Sequence, residues 1–296
     1  MVCKVYDDFR SEFIAKIRKI FPNSEGSETI AIVRTTTVVD ESFLSERPGL
    51  KYVLRGGAGL DNVDAAACRR RGIELFSTPG ANARAVGELG AAALIALARG
   101  LQQSDDDVRN GKWRRIRGRE IGAMTVGIIG FGNTGRALAK ALSGFETKIL
   151  AYDKYRTPEP HFAAELNDIY DNADVVAFHV PLTDETRNYF NEGFVSKMRN
   201  SFCVLNLSRG EVVDLHALYG GFVMGKIWGA HLDVLPFEPP KGPVLALNEK
   251  ENMLMDKLKN WNVRFSAHIA GRTEESEANI ENQLQSILQD IRKKNT

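Results

Sequence analysis

The chain has 296 residues, of which 43% are hydrophobic and 26% are charged, close to the average for soluble globular domains. Its 39 Lys and Arg residues nearly balance its 38 Asp and Glu residues, so no overall positive field exists to hold a nucleic acid or an anionic membrane. These values exclude a disordered chain, a collagen-like repeat and a small disulfide scaffold, and they predict about two domains. We therefore expect the partner to be a small molecule, not a nucleic acid or a membrane.

The cysteines and the N-terminus bear on the cellular compartment. Cys3, Cys68 and Cys203 are scattered and form no C-x-x-C pair, so we expect reduced thiols and neither a disulfide framework nor a metal site. The first residues lack the apolar core of a signal peptide. The longest apolar run, near residues 90–98, is far shorter than the roughly 20 residues that span a bilayer. We expect a cytoplasmic protein.

Short β-rich runs alternate with longer segments of helical period along most of the chain. The runs are rich in β-branched or aromatic residues and are bounded by Gly, Asp or Pro, as buried strands are. Such alternation predicts parallel sheets with right-handed crossovers, hence an α/β protein. The predicted strands are Thr29–Val33, Tyr52–Leu54, Thr125–Ile129, Lys148–Tyr152, Val175–Val180, Phe202–Asn206 and Trp228–Leu232, and helical segments include Arg136–Ser143 and Gly210–Met224.

A long Ala/Leu-rich helix, about Ala83–Arg99, is predicted between the two halves of the chain, with Gly100 where a C-cap would fall. The following segment, SDDDVRNGKWRRIRGREIG, is charged and contains several glycines. We expect it to cross the surface as a solvated connector, since charge runs of this kind are usually solvent-exposed.

The segment VGIIGFGNTGRALAKAL carries Gly130, Gly132 and Gly135 in the pattern G-x-G-x-x-G, directly after a predicted strand and at the start of a predicted helix near Asn133. In a dinucleotide-binding turn the first glycine makes the tight turn, the second lets the backbone approach a pyrophosphate, and the third lets helix pack on strand. The helix N-terminus then offers free N–H groups to the phosphates. This context predicts a dinucleotide-binding site.

The choice between the two nicotinamide cofactors depends on the end of the next strand, KILAYD. Asp153 follows the glycines by about 20 residues, where an acidic side chain binds the ribose hydroxyls and repels a 2′-phosphate. This favours NAD over NADP. Lys154 and Arg156 lie just beyond Asp153 and leave NADP open as an alternative.

Three candidate residues lie downstream of the glycine loop, each expected on a loop after a strand: Arg209, Glu238 and His268. Each alone has an ordinary structural explanation, but together they suit hydride transfer to a 2-oxo acid. His268 would exchange the proton with the oxygen, since an unperturbed imidazole titrates near neutral pH. Glu238 would hold the imidazole, and Arg209 would bind the substrate carboxylate through its planar guanidinium.

Several motifs occur in one order along most of the chain: RGGAGLDNVD, STPGANARAVGE, GIIGFGNTG, FHVPLTDETRN, NLSRGEVVD, GAHLDVLPFEPP and SAHIAG. In this combination the chain resembles the D-isomer-specific 2-hydroxyacid dehydrogenases, with the short-form D-3-phosphoglycerate dehydrogenases as the most similar branch. The resemblance implies two Rossmann-like, doubly wound parallel-sheet domains with the active site in the cleft between them. It also implies a homodimer formed through the helix Ala83–Arg99.

Residue roles follow from position in the matching motifs. The resemblance implies catalytic Arg209, Glu238 and His268; cofactor contacts by Thr78, Gly130, Gly132, Asn133, Thr134, Gly135, Asp153, Val180, Pro181, Leu207 and Asp233; and substrate contacts by Arg55, Gly57, Ala58 and Arg209. It places His179 near the cofactor and outside proton transfer, whereas it assigns no such role to His161, His216 and His231, which are expected to be structural or exposed.

The resemblance also divides the chain and exposes departures from the family. It implies a substrate domain at 1–94 and 271–296 and an NAD-binding domain at 95–270. Ala267 stands where the family usually has Pro before the catalytic His, and the segment 241–265 is longer than in many relatives. We expect that segment to shape a wall or rim of the active site.

Two classes of function are compatible with these observations. The first is an NAD-dependent 2-hydroxyacid dehydrogenase, acting on 3-phosphoglycerate in serine biosynthesis or, as a close alternative, on glyoxylate or hydroxypyruvate. Arg55, Arg34 and Arg84 are candidate cations for a 3-phosphate. The second class is a non-catalytic NAD(H)-binding scaffold of the kind found among transcriptional corepressors that resemble this family.

Overall fold

A computed structural model describes residues 1–22, 25–239, 244–245 and 247–295. The chain forms two compact units, one comprising 1–82 with 272–296 and the other 83–271. Each unit contains one all-parallel sheet with helices. The structure therefore confirms the predicted fold class of two parallel-sheet α/β domains.

Residues 1–22, 25–239, 244–245 and 247–295 contain ten strands and eleven helices, numbered in chain order. The strands are β1 Val2–Val5, β2 Glu28–Val33, β3 Tyr52–Arg55, β4 Glu74–Ser77, β5 Thr125–Ile129, β6 Lys148–Tyr152, β7 Val175–Phe178, β8 Phe202–Asn206, β9 Ile227–Leu232 and β10 Val263–Phe265. The helices are α1 Ser11–Ile20, α2 Glu41–Ser45, α3 Ala65–Arg70, α4 Ala83–Arg99, α5 Leu101–Arg109, α6 Asn133–Leu142, α7 Leu166–Asn172, α8 Glu192–Lys197, α9 Leu215–Val223, α10 Glu249–Lys259 and α11 Glu274–Lys294.

The first unit has the strand order β1-β2-β3-β4, and its helices cover both faces of the sheet. Alternation along β2 sends Ile30 and Ile32 to one face, where they pack with residues of α1 and α11. Ala31 and Val33 point to the other face and pack with residues of α2 and α3. A strand buried on both faces has no polar alternation, which is why β2 reads as a continuous apolar run.

The second unit has the strand order β10-β9-β8-β7-β5-β6. The chain runs from β5 outward to β6 and then returns to the opposite side of β5 to form β7. The strand order therefore reverses between β5 and β7. In open parallel sheets a ligand binds at such a reversal, in the crevice beyond the carboxyl ends of the strands.

Helix α4 has the predicted bounds and belongs to the second unit, so the sequence-derived boundary at residue 94 falls inside it. Its buried residues Leu94 and Leu97 share a core with Leu138 of α6 and Ile128 of β5. Because this face of α4 is part of the second core, the division of the chain precedes the helix. No single described helix is long and apolar enough to cross a membrane; the bent pair α4–α5 meets the length and composition criteria only when taken together.

The structure corrects several predicted elements. The predicted helix Gly210–Met224 is a 3₁₀ turn, Gly210–Val212, followed by α9, because the Asp214 side chain accepts from the His216 N–H and caps a new helix. The predicted strand Val175–Val180 ends at Phe178. Helix α6 begins at Asn133, as the glycine-loop motif predicts, three residues before the segment of helical period Arg136–Ser143. Ser104–Arg109 of the predicted connector belongs to α5, while the basic residues of 112–119 are exposed as expected.

Candidate active site

The glycine loop follows β5 and is shaped by close contact with the segment after β7. Gly130 has a φ of +92°, and a Cβ built there would lie 2.6 Å from the main-chain oxygen of His179, so only glycine fits. A Cβ at Gly132 would meet only the Arg156 guanidinium, at 3.7 Å, which leaves space beside the backbone. Asn133, Thr134 and Gly135 then form the first turn of α6, whose Gly132 N-cap supplies no side chain to the free N–H groups. This end of α6 can therefore receive an anion.

Asp153 lies at the end of β6 and is held by three main-chain amides. Its Oδ2 accepts from the Phe131 N–H of the glycine loop at 2.8 Å, and its Oδ1 accepts from Tyr155 N–H at 2.9 Å and Arg156 N–H at 3.0 Å. The carboxylate is thus fixed beside the glycine loop, where a ribose would be bound. The adjacent cation Lys154 is paired with Glu185 at 2.7 Å.

The segment after β7 carries His179, Val180 and Pro181. His179 is 8% exposed, and burial lowers the pKa of its imidazole to about 4. Among the described residues neither of its ring nitrogens has a hydrogen-bond partner. A buried polar group without a partner calls for a ligand or water at the site. The unsatisfied imidazole, the open space at Gly132 and the uncapped α6 N-terminus together fit a bound dinucleotide.

Arg209 follows β8 on a loop fixed by buried contacts. Asn206, fully buried, donates through Nδ2 to the Arg209 main-chain oxygen at 2.8 Å and accepts from Ser208 Oγ at 2.9 Å. A Cβ at Gly210 would lie 2.0 Å from the Leu235 carbonyl carbon. The absence of that Cβ lets the loop bearing Arg209 contact the loop bearing Glu238. Leu207 is buried with Val86 and Ala270, so its side chain packs within the unit.

Glu238 and His268 form the central pair of the site. The Nδ1 of His268 lies 2.7 Å from Oε2 of Glu238, while Oε1 of Glu238 accepts from the Leu235 N–H at 2.9 Å. Burial acts to raise the pKa of the Glu238 carboxyl, but the hydrogen bond and charge of His268, the Leu235 amide and the nearby Arg209 lower it overall. The carboxylate is therefore held ionised, and it fixes the side of the imidazole that faces it.

These three predicted residues line one cavity of about 170 Å³ in the second unit. Arg209, Glu238 and His268 share it with Gly210, Leu235 and Pro236. The described structure thus brings the predicted catalytic residues together. A proton donor held by a carboxylate, with a guanidinium at the same cavity, can bind and protonate a carboxylate-bearing carbonyl compound.

Asp233, which the resemblance implies to contact the cofactor, is buried and hydrogen-bonded within the second unit. It is 1% exposed, and its carboxylate accepts from Ser266 Oγ, from the Ile269 N–H at 3.0 Å and from the Ala270 N–H at 2.9 Å. Its main-chain oxygen accepts from the His268 N–H at 2.8 Å. In this structure Asp233 holds the loop that carries His268.

The predicted substrate and cofactor residues of the first unit meet at the ends of β3 and β4. Gly57 donates its N–H to Thr78 Oγ1 at 2.7 Å, so this amide is engaged within the unit and is not open to a substrate carboxylate as the sequence predicts. Fully buried Thr78 therefore acts as a support for the loop. Arg55 is buried and its guanidinium fills the space where a Cβ of Gly57 would lie, while Ala58 is exposed.

Two other expectations concern metals and the segment 241–265. Among the described residues, no group of three or more His, Cys, Asp or Glu side chains could hold a metal ion. Residues 240–243 and 246 lie outside the described residues. Helix α10 contributes Leu254, Met255 and Leu258 to the main core of the second unit.

The residues of the site that the sequence analysis did not single out shape or hold the loops that carry the catalytic residues. Asn206 and Gly210 shape the Arg209 loop, and Ser266 ties the His268 loop to Asp233. A signal for Asn206 was present, since an amide at the end of an otherwise apolar strand must find partners when buried. No local signal marks Ser266, whose partner lies 33 residues away.

Comparison with known proteins establishes the family. A family model described as the NAD-binding domain of D-isomer specific 2-hydroxyacid dehydrogenases matches residues 91–270. The chain therefore belongs to the D-isomer specific 2-hydroxyacid dehydrogenase family, and its cofactor is NAD. The predicted family and cofactor are confirmed.

Individual relatives differ in their named activities. The chain is 33% identical to the hydroxypyruvate reductase of Thermotoga maritima over 276 residues, which cover 91% of this chain and 86% of the relative. It is 35% identical to the D-3-phosphoglycerate dehydrogenase of Archaeoglobus fulgidus over 258 residues, 84% of this chain but only 46% of that longer relative. The fold matches a D-lactate dehydrogenase from Aquifex aeolicus, crystallised with NAD and lactic acid, with a TM-score of 0.85 at 24% identity over 99% of this chain and 96% of that one.

Proposed function

We propose that His268 is the acid–base residue of an NAD-dependent interconversion of a D-2-hydroxy acid and its 2-oxo acid, with Glu238 and Arg209 as its catalytic partners. The contact between His268 Nδ1 and Glu238 Oε2, 2.7 Å in the cavity that Arg209 also lines, carries this proposal. Glycine-loop residues, the α6 N-terminus, Asp153 and the segment 179–181 would hold the dinucleotide.

The proposed steps follow from the geometry of the pair. When bound, the nicotinamide supplies the hydride for reduction and accepts it for oxidation. Because Glu238 holds Nδ1, the other ring nitrogen, Nε2, is left to give a proton to the carbonyl oxygen or to take one from the hydroxyl. The carboxylate of Glu238 stabilises the imidazolium that precedes donation. Arg209 would bind the substrate carboxylate and polarise the carbonyl.

For the substrate we propose a small unphosphorylated 2-oxo acid of the hydroxypyruvate or glyoxylate type. Two of the candidate cations for a phosphate have other partners: Arg34 lies 3.6 Å from the Glu277 carboxylate, and Arg84 Nε lies 2.7 Å from Glu88. Arg55 is buried against the backbone of Gly57. Similarity to a hydroxypyruvate reductase over most of both chains supports the same substrate class.

The interconversion of 3-phosphoglycerate and 3-phosphohydroxypyruvate, a step of serine biosynthesis, is the second candidate. One observation favours it: Arg34 and Arg55 both lie at the carboxyl ends of the neighbouring parallel strands β2 and β3. Arginine is a common ligand of phosphate groups. The similarity to a D-3-phosphoglycerate dehydrogenase supports this candidate as well.

A substrate comparison tests both candidates. Oxidation of NADH by the purified protein would be followed at 340 nm with hydroxypyruvate, glyoxylate and 3-phosphohydroxypyruvate side by side. The proposal expects a higher kcat/KM for the unphosphorylated acids, which Arg34→Ala should leave within about threefold. If the protein prefers the phosphorylated acid, and if Arg34→Ala and Arg55→Ala each abolish that preference, the second candidate replaces the proposed substrate class. Absence of turnover with all three acids, despite tight NADH binding, would overturn the enzymatic proposal in favour of an NAD(H)-binding scaffold.

We also propose a homodimer, formed through the surface of α4, α5 and the residues that follow. Three large apolar side chains are exposed there: Leu101 and Val108, each 52% exposed, and Trp113, 80% exposed. We infer that these side chains form one apolar patch, which is typical of a protein interface. Light scattering of the protein eluted from a size-exclusion column tests the proposal. The wild-type protein is expected to be a dimer and Trp113→Ser a monomer. A wild-type monomer would contradict the proposal.

A further inference from the structure

His231 is a buried histidine on β9 to which the family resemblance assigns no role, and it lies beside the loop of the catalytic residue. It is 7% exposed and pairs in register with Arg264 of β10. Ser266 follows Arg264 by two residues, so its side chain is a diagonal neighbour of His231 on the same face of the sheet. The Nε2 of His231 lies 3.1 Å from Ser266 Oγ.

The direction of this hydrogen bond is fixed by the next contact. Ser266 has a single hydroxyl hydrogen, which it donates to Asp233 Oδ1 at 2.5 Å. Its oxygen can therefore only accept from His231, so Nε2 must carry a hydrogen. Burial lowers the pKa of His231, although the charge of Asp233 acts in the opposite direction, and the neutral Nε2–H tautomer is favoured.

The chain of hydrogen bonds continues into the backbone around His268. Asp233 accepts from the N–H groups of Ile269 and Ala270 through its carboxylate and from that of His268 through its main-chain oxygen. His268 has a φ of +52°, a left-handed conformation that is unfavourable for a non-glycine residue. Such a conformation persists only where surrounding contacts determine it.

We propose that His231 is a positioning residue for His268, acting through Ser266 and Asp233 on the loop that fixes the catalytic imidazole. By donating to Ser266, His231 orients the hydroxyl hydrogen toward Asp233 and completes the set of donors on that carboxylate. Asp233 in turn keeps the amides of 268–270 in place. This inference rests on the proposed function, because it assigns His231 a role only if His268 transfers the proton.

Replacement of His231 tests the proposal with two variants and a control. His231→Leu removes the donor at similar volume, whereas His231→Gln can place an amide N–H near the position of Nε2. His216, an exposed histidine of α9, provides the matched control as His216→Leu. The measurements are kcat and KM for the 2-oxo acid, the Kd for NADH from its fluorescence, and the isotope effect with NADH deuterated at the transferred position.

The proposal expects His231→Leu to lower kcat about tenfold, since small displacements of a catalytic group have effects of this order. The isotope effect on kcat should rise, because the chemical step becomes limiting, while the Kd for NADH stays within about twofold. His231→Gln should recover most of kcat, and His216→Leu should match wild type. Unchanged kcat in His231→Leu, or equal losses in the Leu and Gln variants, would overturn it.

Two further variants keep the test decisive. If His231→Leu does not fold, Ser266→Ala and Ser266→Thr ask the same question, because only Thr retains the hydroxyl; equal losses in both would overturn the proposal. His268→Ala distinguishes failure of the proposed proton transfer from failure of the positioning role of His231. Full turnover in His268→Ala would overturn proton transfer by His268 itself. If His268→Ala loses turnover but His231→Leu keeps it, only the positioning role of His231 is overturned.

Discussion

His268 and Glu238 are 30 residues apart in the chain, yet His268 Nδ1 lies 2.7 Å from Glu238 Oε2. The contact joins the loop after β10 to the loop after β9, which are neighbouring parallel strands. It does two things at once: it leaves Nε2 as the nitrogen for the substrate, and it places a negative charge beside the ring that must become positive. These two effects can be separated by mutation.

Glu238→Gln should separate orientation of the imidazole from its electrostatic stabilisation. The amide oxygen can still accept from Nδ1, so the tautomer is retained, but the charge is lost. We expect kcat to fall about tenfold to a hundredfold, less than in Glu238→Ala, where both effects are lost. Steady-state kinetics of the two variants would check this order. Equal kcat values in Glu238→Gln and wild type would contradict a role for the charge.

The dependence of kcat on pH in the acidic range, in wild type and Glu238→Gln, gives a second test of the charge on Glu238. Because the pKa of Glu238 is lowered in the folded protein, the carboxylate stays ionised through the neutral range, and wild-type kcat should not fall through loss of that charge until the pH is well below the ordinary range of a carboxyl. In Glu238→Gln no such group titrates there. Profiles of kcat against pH that share the same lower limb in both proteins would contradict the assignment.

Gly210→Ala should damage the site through the backbone. The added Cβ would lie 2.0 Å from the Leu235 carbonyl carbon, so the loops bearing Arg209 and Glu238 must separate. We expect a loss of about 1–3 kcal/mol in the free energy of unfolding, typical of overpacking, together with a higher KM for the 2-oxo acid. Gly220→Ala, in α9 with nothing within 4 Å of the added Cβ, is the control and should be neutral or slightly stabilising. Equal behaviour of the two variants would refute the close approach.

Asp153→Asn should weaken the discrimination between NADH and NADPH. The single carbonyl oxygen of asparagine can still accept from the Tyr155 and Arg156 N–H groups, but its NH2 group cannot accept from Phe131 N–H, and the charge that repels a 2′-phosphate is lost. The ratio of the two Kd values, measured by fluorescence of the reduced nicotinamide, should shift toward NADPH by about tenfold. Asp184→Asn removes the same charge from the loop after β7 and serves as the control. An unchanged ratio in Asp153→Asn would contradict the ribose-binding role.

His179 should make the stability of the second unit sensitive to acid. Its pKa is about 4 in the folded protein and near 6.5 when unfolded, so the unfolded chain binds more protons between these values and stability falls as pH decreases through this window. From pH 6.5 to 5 the loss amounts to about 2 kcal/mol, at 1.36 kcal/mol per unit. Urea unfolding at pH 7 and pH 5 measures the loss of unfolding free energy between the two pH values. This loss should be smaller in His179→Leu than in wild type by about that amount. An identical loss in both proteins would count against a buried neutral imidazole.

The sequence predicts the interior of the fold better than its margins. The central strands β2, β5, β7 and β8 are buried on both faces and read as continuous apolar runs. The three strands that the pattern missed, β1, β4 and β10, are all at sheet edges. Edge strands are short and carry charged residues such as Lys4, Glu74 and Arg264, which blunt their apolar signal.

The sequence likewise predicts only part of the active site: it indicates the catalytic residues but not the partners that hold the residues around them. Arg209, Glu238 and His268 could be singled out because their chemistry suits one reaction and they occur in order downstream of the glycine loop. The partners of Gly57, Asp233 and Arg34 could not be predicted, because Thr78, Ser266 and Glu277 are brought to them by tertiary packing. Those partners change the interpretation: the Gly57 amide is engaged, Asp233 supports the His268 loop, and Arg34 is ion-paired.

The most direct test of the account is a single-turnover measurement of NADH oxidation in wild type and His268→Ala with hydroxypyruvate. The account predicts a rate constant at least about a hundredfold lower in the variant, the contribution expected of a general acid, with the Kd for NADH within about twofold of wild type. A variant that oxidises bound NADH at the wild-type rate would contradict proton transfer by His268.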